Sequence, residues 1–427
     1  MASAGDQVSI ICDDKTYEGT LMPRPELLSS DIVVLKLGHG YNIGIDKKRI
    51  KETNVVKKYS PSKKTSVPPT PKKGLPTVAL VSCGGTISSR VDYYSGGVSA
   101  DYTASDFLAM CPELGHRANI TAVAAKQLMS EDITPHDWMD IARSVKKAID
   151  DGADGVVVTH GTDTLHYTAT MLSYLLKNLN KPVVITGAQR SIDRPSSDAF
   201  MNLTCSVIAA SSKQLHGVMT CLHGESDDRY CLLIPGTKVR KMHTSRRDAF
   251  RPLNATAIGK VYPTGKIVLS TPQAPPPTGQ VTIEGGFEAK TGIVLIHPGI
   301  SPDLIEHFVE QKYRGLVVSA TALGHVPTGT HSLIPSLKKA VDSGIVVVIS
   351  SQTLYGRVHP HVYTNLRKLS LSVGATFVED LHPEAAYCKL GWALSQSKDH
   401  DHVKRILLNP LQGDISTRSV PYDSFLS

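Results

Sequence analysis

The pattern of apolar and polar positions divides the chain into two regions. Before residue 60, short segments alternate apolar and polar residues around Val8–Cys12, Tyr17–Met22, Ile32–Leu37 and Tyr41–Ile45. Such alternation is typical of strands with one buried face. It predicts a small β-barrel or β-sandwich over residues 1–60, a module close to the size at which a single core is only marginally stable.

After residue 76, short runs of consecutive apolar residues are separated by helix-like stretches. The runs include TVALVS, GVVVTH, PVVITGA, GIVLIHPG, GLVVSAT and GIVVVISS. Runs without alternation favour strands buried on both faces, and therefore an α/β fold with parallel sheets. A segment rich in Pro and Lys at 61–76 is predicted to be a semi-extended linker. The Pro-rich Ser270–Gln280 segment separates two predicted lobes, 77–285 and 286–427.

Composition places the chain among soluble globular proteins. Of its 427 residues, 41% are hydrophobic and 20% are charged, which argues against a disordered or fibrous class. No apolar run approaches the roughly 18 residues that a membrane span requires. Acidic residues stand where a secretory signal would carry its apolar segment, so we expect a cytoplasmic protein.

The positive charge of the chain is unevenly distributed, which bears on its expected partners. Residues 1–76 contain thirteen Lys or Arg against eight Asp or Glu, so they carry most of the formal net charge of +7. A solvated face with a charged linker is the favoured interpretation, and contact with nucleic acid or an acidic partner is the alternative.

The seven cysteines are scattered and contain no Cys-x-x-Cys pair, so we predict reduced thiols and no metal site.

Two predicted strands end in loops that combine glycine with hydroxyl residues, SCGGTIS and THGTDT. Loops at the carboxyl ends of parallel strands are where α/β proteins bind ligands. Gly84 and Gly85 allow a sharp turn that presents Thr86. Thr162 and Asp163 place a hydroxyl beside a carboxylate, although Asp163 could instead cap the following helix. The Gly-x-Gly-x-x-Gly and Walker patterns are both missing, which disfavours a nucleotide cofactor.

Three ordered motifs carry a resemblance to a known family. CGGTIS, VVVTHGTDTLHYTA and ITGAQRSIDRPSSDAFMNL resemble the successive signatures of the L-asparaginase/glutaminase amidohydrolases, over residues 77–427. With the N-terminal module, the linker and the SRVDYYSGGV loop, the whole chain resembles the D-subunit family of the archaeal glutamyl-tRNA(Gln) amidotransferases. The resemblance implies an asparaginase-like, two-lobed α/β region that follows the small barrel.

The resemblance implies acyl transfer by a threonine. Thr86 stands at the position of the nucleophile, which needs an adjacent base and an oxyanion hole. A tyrosine of the following loop assists it; Tyr93 is the predicted residue, and the adjacent Tyr94 is the alternative. Cys83 stands where the family usually has Thr or Ser, so a cysteine nucleophile is a further alternative.

The family's second catalytic group is Thr-Asp-Lys. Thr162 and Asp163 match it directly, and Lys241 of the TKVRKMHTSRRDAF segment stands at the position of the lysine, with Lys238 as the alternative. An amine beside the hydroxyl can take or relay its proton. Without the resemblance, a solvated role would be favoured for Lys241, because the segment is highly basic.

A substrate loop is implied in the LMSEDITP segment. Ser130 and Glu131 are the candidate contacts, joined by Asp163, to the α-ammonium and α-carboxylate of the substrate. Stand-alone asparaginases usually have Gln at the position of Glu131, and a carboxylate there suits an ammonium ion. Helix capping is the alternative for this segment.

The resemblance also implies partners. The chain would be a glutaminase that hydrolyses glutamine or asparagine and supplies ammonia to a partner, the amidotransferase E-subunit, which converts Glu-tRNA(Gln) to Gln-tRNA(Gln). We expect a homodimer joined by two copies of the E-subunit, with tRNA bound mainly by that partner. No cofactor or metal is expected in this chain, whereas ATP and Mg are expected in the partner.

Two other functions stay open at this point. One is a free-standing cytosolic L-asparaginase with an added β module. The other is a catalytically silent RNA-binding or scaffold protein, whose basic first module contacts phosphates.

Overall fold

A computed structural model describes residues 2–22, 31–39, 41–59, 71–85, 87, 90–91, 98–99, 111–192 and 196–419. Most of the predicted linker, including residues 61–70, lies outside these ranges. The chain begins with five strands, which are β1 Gln7–Cys12, β2 Thr16–Met22, β3 Ile32–Leu37, β4 Asn42–Asp46 and β5 Ile50–Lys57.

These five strands form an antiparallel sheet in the order β4-β3-β2-β1-β5. Their shared core contains Val8, Ile10, Cys12, Leu35 and Ile45. Within the described ranges β4 and β5 do not pair, so the sheet is open and the closed barrel is not observed. The side chains of β5 are exposed along almost its whole length, as expected for the edge strand of an open sheet.

The first lobe is built on an eight-stranded sheet, in the order β18-β17-β14-β13-β12-β10-β6-β9. Strands β9, β6, β10, β12 and β13 run parallel, and β14, β17 and β18 continue antiparallel, so the predicted parallel sheet is in fact mixed. The strands of this lobe are β6 Thr77–Gly84, β7 Arg90–Val91, β8 Val98–Ser99, β9 Asn119–Leu128, β10 Gly155–Thr159, β11 Leu176–Lys177, β12 Pro182–Thr186, β13 Gly217–His223, β14 Cys231–Pro235, β15 Val239–Lys241, β16 Phe250–Pro252, β17 Gly259–Val261, β18 Ile267–Leu269 and β19 Thr282–Ile283.

Helices cover both faces of this sheet, namely α1 Pro135–Asp150, α2 Leu165–Leu175 and α3 Ala199–Ala210. Strand β6 shows why its apolar run does not alternate. Ala79 and Val81 pack into the core that contains α1 and α2, whereas Val78 and Leu80 pack into the core that contains α3. Both faces of the strand are therefore buried, as expected for a central parallel strand.

The second lobe has a parallel sheet in the order β20-β21-β22-β23. Cores on both faces bury the valines of β21 and β22 alternately. The prediction of consecutive apolar runs in parallel strands is confirmed here. Its strands and helices are β20 Thr291–Leu295, β21 Gly315–Ala320, β22 Val346–Ser351, β23 Thr376–Phe377, α4 Asp303–Glu310, α5 Ile334–Asp342, α6 Thr364–Arg367, α7 Pro383–Gln396 and α8 His400–Leu408.

The two lobes share a buried junction between α2 and α7. The rings of Tyr174 and Trp392 stack with centroids 5.4 Å apart. The Tyr174 hydroxyl donates to Asp414 Oδ2 at 2.8 Å, and Lys389 Nζ lies 2.7 Å from the same oxygen. Lys389 and Asp414 are both fully buried. The junction therefore encloses a paired charge as well as apolar surface.

Three further observations concern the cysteines, a cluster of acidic and histidine side chains, and the lengths of the helices. All seven cysteines are buried and reduced. His136, Asp137 and Asp140 have spacing compatible with a metal, but the ammonium of Lys126 lies 2.7 Å from an oxygen of each carboxylate, where it would repel a metal cation. In the part of the chain that the structure describes, no helix is both long and apolar enough to cross a bilayer.

We predict that Asp414→Asn lowers the free energy of unfolding by about 3 to 5 kcal/mol, because it leaves the buried Lys389 ammonium unpaired. Adding Lys389→Met should recover much of this loss, since the second change removes the orphaned charge. Denaturant unfolding measures both variants. Asp342→Asn, which breaks the exposed pair with Lys338, is the control and should cost less than about 1 kcal/mol. Equal effects of Asp414→Asn and Asp342→Asn would contradict the prediction.

Candidate active site

Glycines bring the loops after β6, β9 and β10 into backbone contact. Gly84 and Gly85 have φ of +91° and +77°, a conformation that glycine adopts without strain. A Cβ on Gly84 would lie 2.4 Å from Leu128 O, and one on Gly85 would lie 2.2 Å from Gly161 N. A Cβ on Gly161 would lie 2.7 Å from Ser130 Cβ. Each glycine is therefore required at its place for these loops to meet.

Thr162, Asp163 and Lys241 form one hydrogen-bonded group. Lys241 Nζ donates to Thr162 Oγ1 at 2.9 Å and to Asp163 Oδ1 at 2.7 Å. Thr162 is buried, and the Lys241 side chain is only 11% exposed. The structure therefore places Lys241 inside the site rather than in solvent, within reach of a hydroxyl proton.

The alternative roles of these residues are not the ones observed. Lys238 lies in the core, where its Nζ contacts Asp380 Oδ2 at 2.8 Å. Asp163 accepts from Lys241 and is not the N-cap of α2; the N-cap is Thr164. The basic segment that the sequence presents as solvated thus contains two lysines with separate, specific partners.

Ser130 and Glu131 lie in a 3₁₀ helix at Ser130–Asp132, directly after β9. The main-chain oxygen of Ser130 accepts from Thr164 Oγ1 at 2.6 Å, which ties this loop to the loop that carries Thr162. Glu131 is exposed. Capping of α1 is performed by Thr134, whose N–H and hydroxyl both donate to Asp137 Oδ2. The Glu131 carboxylate accepts from Ser130 Oγ at 3.5 Å and lies at the exposed rim of the site.

Thr86, Tyr93 and Tyr94 lie outside the described residues. Gly85, which precedes Thr86, lies against the Gly161 backbone and so beside the Thr162 loop. Cys83 is fully buried, and this burial raises the pKa of its thiol to about 12. Because the thiolate is the nucleophilic form, Cys83 is poorly suited to attack a substrate.

A chain of uncharged, hydrogen-bonded side chains supports the Thr162 loop. The sequence motifs did not identify this chain. Trp138 Nε1 donates to Thr168 Oγ1 at 3.0 Å, and Thr168 Oγ1 lies 2.8 Å from His160 Nε2. His160 Nδ1 lies 2.7 Å from Gly161 O. Since the indole only donates and the carbonyl only accepts, the Thr168 hydroxyl donates to Nε2 and Nδ1 carries the proton. Burial lowers the pKa of His160 to about 4, which keeps the chain uncharged.

Comparisons with known proteins agree with this geometry. Family profiles described as "Asparaginase, N-terminal", "Glutaminase/Asparaginase C-terminal domain" and "GatD N-terminal domain" match residues 77–274, 290–407 and 2–56. The glutamyl-tRNA(Gln) amidotransferase D-subunit of Pyrococcus furiosus is 45% identical over 424 residues, which cover 98% of this chain and 96% of that protein. The chain belongs to the D-subunit family of the glutamyl-tRNA(Gln) amidotransferases.

Other relatives give the same result. The D-subunit of Methanothermobacter thermautotrophicus is 41% identical, over 97% of this chain and 94% of that protein. Among solved structures, the thermostable L-asparaginase from Thermococcus kodakarensis is similar with a TM-score of 0.72 and 28% identity, covering 80% of this chain and all of that one. L-asparaginase I from Vibrio cholerae is similar with a TM-score of 0.68 and 29% identity, with the same coverage. The family therefore joins an asparaginase-like α/β body to a separate N-terminal sheet.

We predict that Cys83→Ala leaves kcat/KM for amide hydrolysis at the wild-type value, because a buried thiol with a raised pKa takes no part in the chemistry. Stability should fall by about 1 kcal/mol from the lost packing. Cys111→Ala is the matched control, since Cys111 is also buried and the pKa of its thiol is also raised to about 12 by burial. Loss of activity in the Cys83 variant alone would contradict the conclusion that Cys83 takes no part in the chemistry.

We predict that His160→Asn makes thermal stability less dependent on acid pH. The folded state keeps His160 neutral down to about pH 4, whereas the unfolded chain takes up the proton below its ordinary pKa of 6.5. The stability is therefore present above pH 6.5 and is lost as the pH falls, by about 2 kcal/mol at pH 5. Asparagine can keep the donor to Gly161 O without titrating.

The measurement is Tm at pH 7.5 and at pH 5 for wild type and variant. Wild type should lose about 2 °C more than His160→Asn. His297→Asn, at an exposed histidine, should follow wild type. A Tm difference between wild type and His160→Asn that is the same at both pH values would show that His160 is not held neutral.

Proposed function

We propose that this chain is the glutaminase component of a tRNA-dependent amidotransferase that converts Glu-tRNA(Gln) to Gln-tRNA(Gln). The observation that carries the proposal is the group formed by Thr162, Asp163 and Lys241, which lies beside the Gly85 turn that leads into Thr86. Full-length similarity to D-subunit proteins supports the choice of this reaction over other amide hydrolyses.

The proposed chemistry has two acyl-transfer steps. Thr86 Oγ attacks the side-chain amide carbon of glutamine, and its proton passes to the Thr162–Lys241 pair with help from Tyr93. The C–N bond then breaks, and the departing nitrogen takes a proton and leaves as ammonia. Water attacks the resulting ester, which releases glutamate and returns the proton to Thr86. A preorganised base and donors for the oxyanion are what such a weak nucleophile requires.

Charge at the rim of the site suits an amino acid substrate. Glu131 and Asp163 are both exposed carboxylates near the Gly161 loop, and together they offer two negative groups to the α-ammonium. Ser130 lies against Gly161. Its hydroxyl donates to Glu131 Oε2 at 3.5 Å and would turn to the α-carboxylate when the substrate binds. Asparagine and glutamine share both α-groups, so this recognition accepts either amide.

The rest of the reaction belongs to a partner. Membership of the D-subunit family implies a multi-subunit enzyme. We propose a homodimer of this chain joined by two copies of the amidotransferase E-subunit, in the cytoplasm, with ATP, Mg and most tRNA contacts on the E-subunit. Ammonia released here would pass to that partner, which activates the glutamyl group.

A free-standing L-asparaginase is the second candidate. It is favoured by the similarity to the Thermococcus kodakarensis L-asparaginase, the whole of which matches this chain. The N-terminal sheet counts against it, because residues 2–56 match a GatD domain.

We predict that Thr86→Ala lowers ammonia release from glutamine by about a thousandfold or more. Thr86→Ser keeps a hydroxyl and should retain a measurable rate. The wild-type rate should rise when the E-subunit and glutamyl-tRNA(Gln) are added. A rate that depends on Thr86 but ignores both additions would favour the free-standing enzyme. A rate unaffected by Thr86→Ala would refute the proposed nucleophile and leave a scaffold role.

A further inference from the structure

The strand that carries Lys241 is held by the second lobe. Side chains alternate along a strand, so Lys238 and Arg240 face the opposite way from Lys241 at the edge of β15. Lys238 Nζ contacts Asp380, and Arg240 contacts Glu384 at the start of α7. Two ion pairs to the second lobe therefore hold the chain just before Lys241.

Glu384 holds the guanidinium of Arg240 firmly. Arg240 Nε and Nη2 donate to Glu384 Oε1 at 2.9 and 2.7 Å. The other oxygen, Oε2, lies 3.0 Å from His382 Nδ1. Burial opposes the charge of Glu384, but hydrogen bonds from His382 and Arg240 hold the pKa of its carboxyl well below the usual range. A carboxylate in the first turn of a helix is also stabilised by the helix dipole.

A further titratable side chain, that of His166, lies near the Arg240–Glu384 pair. His166, in the first turn of α2, lies within the field of Glu384, Arg240 and His382, and burial lowers the pKa of His166 to about 3. A neutral imidazole at that place does not compete with Arg240 for the carboxylate.

We propose that Glu384 is a positioning residue for Lys241. It fixes Arg240 and thereby sets the distance from Lys241 Nζ to Thr162 Oγ1. This inference rests on the proposed function, because it assigns Glu384 to the proton transfer that the Thr162–Lys241 pair performs. The Arg240–Glu384 ion pair thus links the second lobe to the reaction.

The test is steady-state ammonia release from glutamine by the full chain with the E-subunit. Glu384→Gln keeps the side-chain shape and loses the charge, so kcat should fall about tenfold while KM stays within about twofold, because a proton-transfer group is displaced but substrate contacts remain. Arg240→Gln breaks the same contact from a partly exposed residue and should give the same result if Glu384→Gln does not fold.

The control is Glu288→Gln. Glu288 pairs with Arg314 at 2.7 Å within the second lobe, away from β15, so kcat should be unchanged. A double-mutant cycle separates positioning from general damage. In a Lys241→Met background, Glu384→Gln should cause no further loss, whereas an equal further loss would overturn the proposal.

The outcomes are distinguishable. If Lys241→Met leaves kcat at the wild-type value, the proposed function of the site fails. If Lys241→Met lowers kcat but folded Glu384→Gln and Arg240→Gln proteins keep it, only the positioning role is overturned. A matched fall in both single variants, with no added effect beside Lys241→Met, supports it.

Discussion

The backbone contact between Gly85 and Gly161 is the constraint on which the candidate site depends. Strands β9, β6 and β10 are parallel neighbours, so their carboxyl ends meet at one edge of the sheet. The loops can use that edge only if no side chain separates them. Without Cβ atoms at these positions, Ser130 and Thr162 are held in adjacent loops although they are distant in sequence. Any other residue at either glycine would push the loops about 1 Å apart, a displacement that acyl transfer tolerates poorly.

The residues of the site are held in two different ways. Thr162 and Asp163 follow a central strand, and the uncharged Trp138–Thr168–His160 chain fixes the carbonyl before them. Lys241 instead lies on the two-stranded β15–β16 ribbon, which is separate from the large sheet. A two-stranded ribbon is only marginally stable by itself, so its geometry depends on the groups to which it is tied.

Local sequence patterns predicted those structural features that depend on residues close together in the chain. Unbroken apolar runs indicated buried strands, and Gly-rich strand ends indicated the loops that meet. The basic segment around Lys241 gave no such signal, because the partners of Lys238 and Arg240 are more than 140 residues away. The sequence pattern also could not reveal that His160 supports the Thr162 loop, because this role depends on Trp138 of helix α1. The alternating N-terminal segments predicted strands correctly but could not decide closure, which depends on whether β4 and β5 pair.

The second lobe supplies none of the residues that the motifs assign to catalysis, yet its first helical turn after β23 contacts the strand that carries Lys241. If the second lobe served only to stabilise the fold, apolar packing such as that between Tyr174 and Trp392 would be sufficient. Buried ion pairs contribute little net stability, because desolvation offsets their attraction. They do restrict geometry, since the two charged groups of each pair must stay within hydrogen-bond distance of one another. The Lys238–Asp380 and Arg240–Glu384 pairs are therefore better explained by orientation of β15 than by stability.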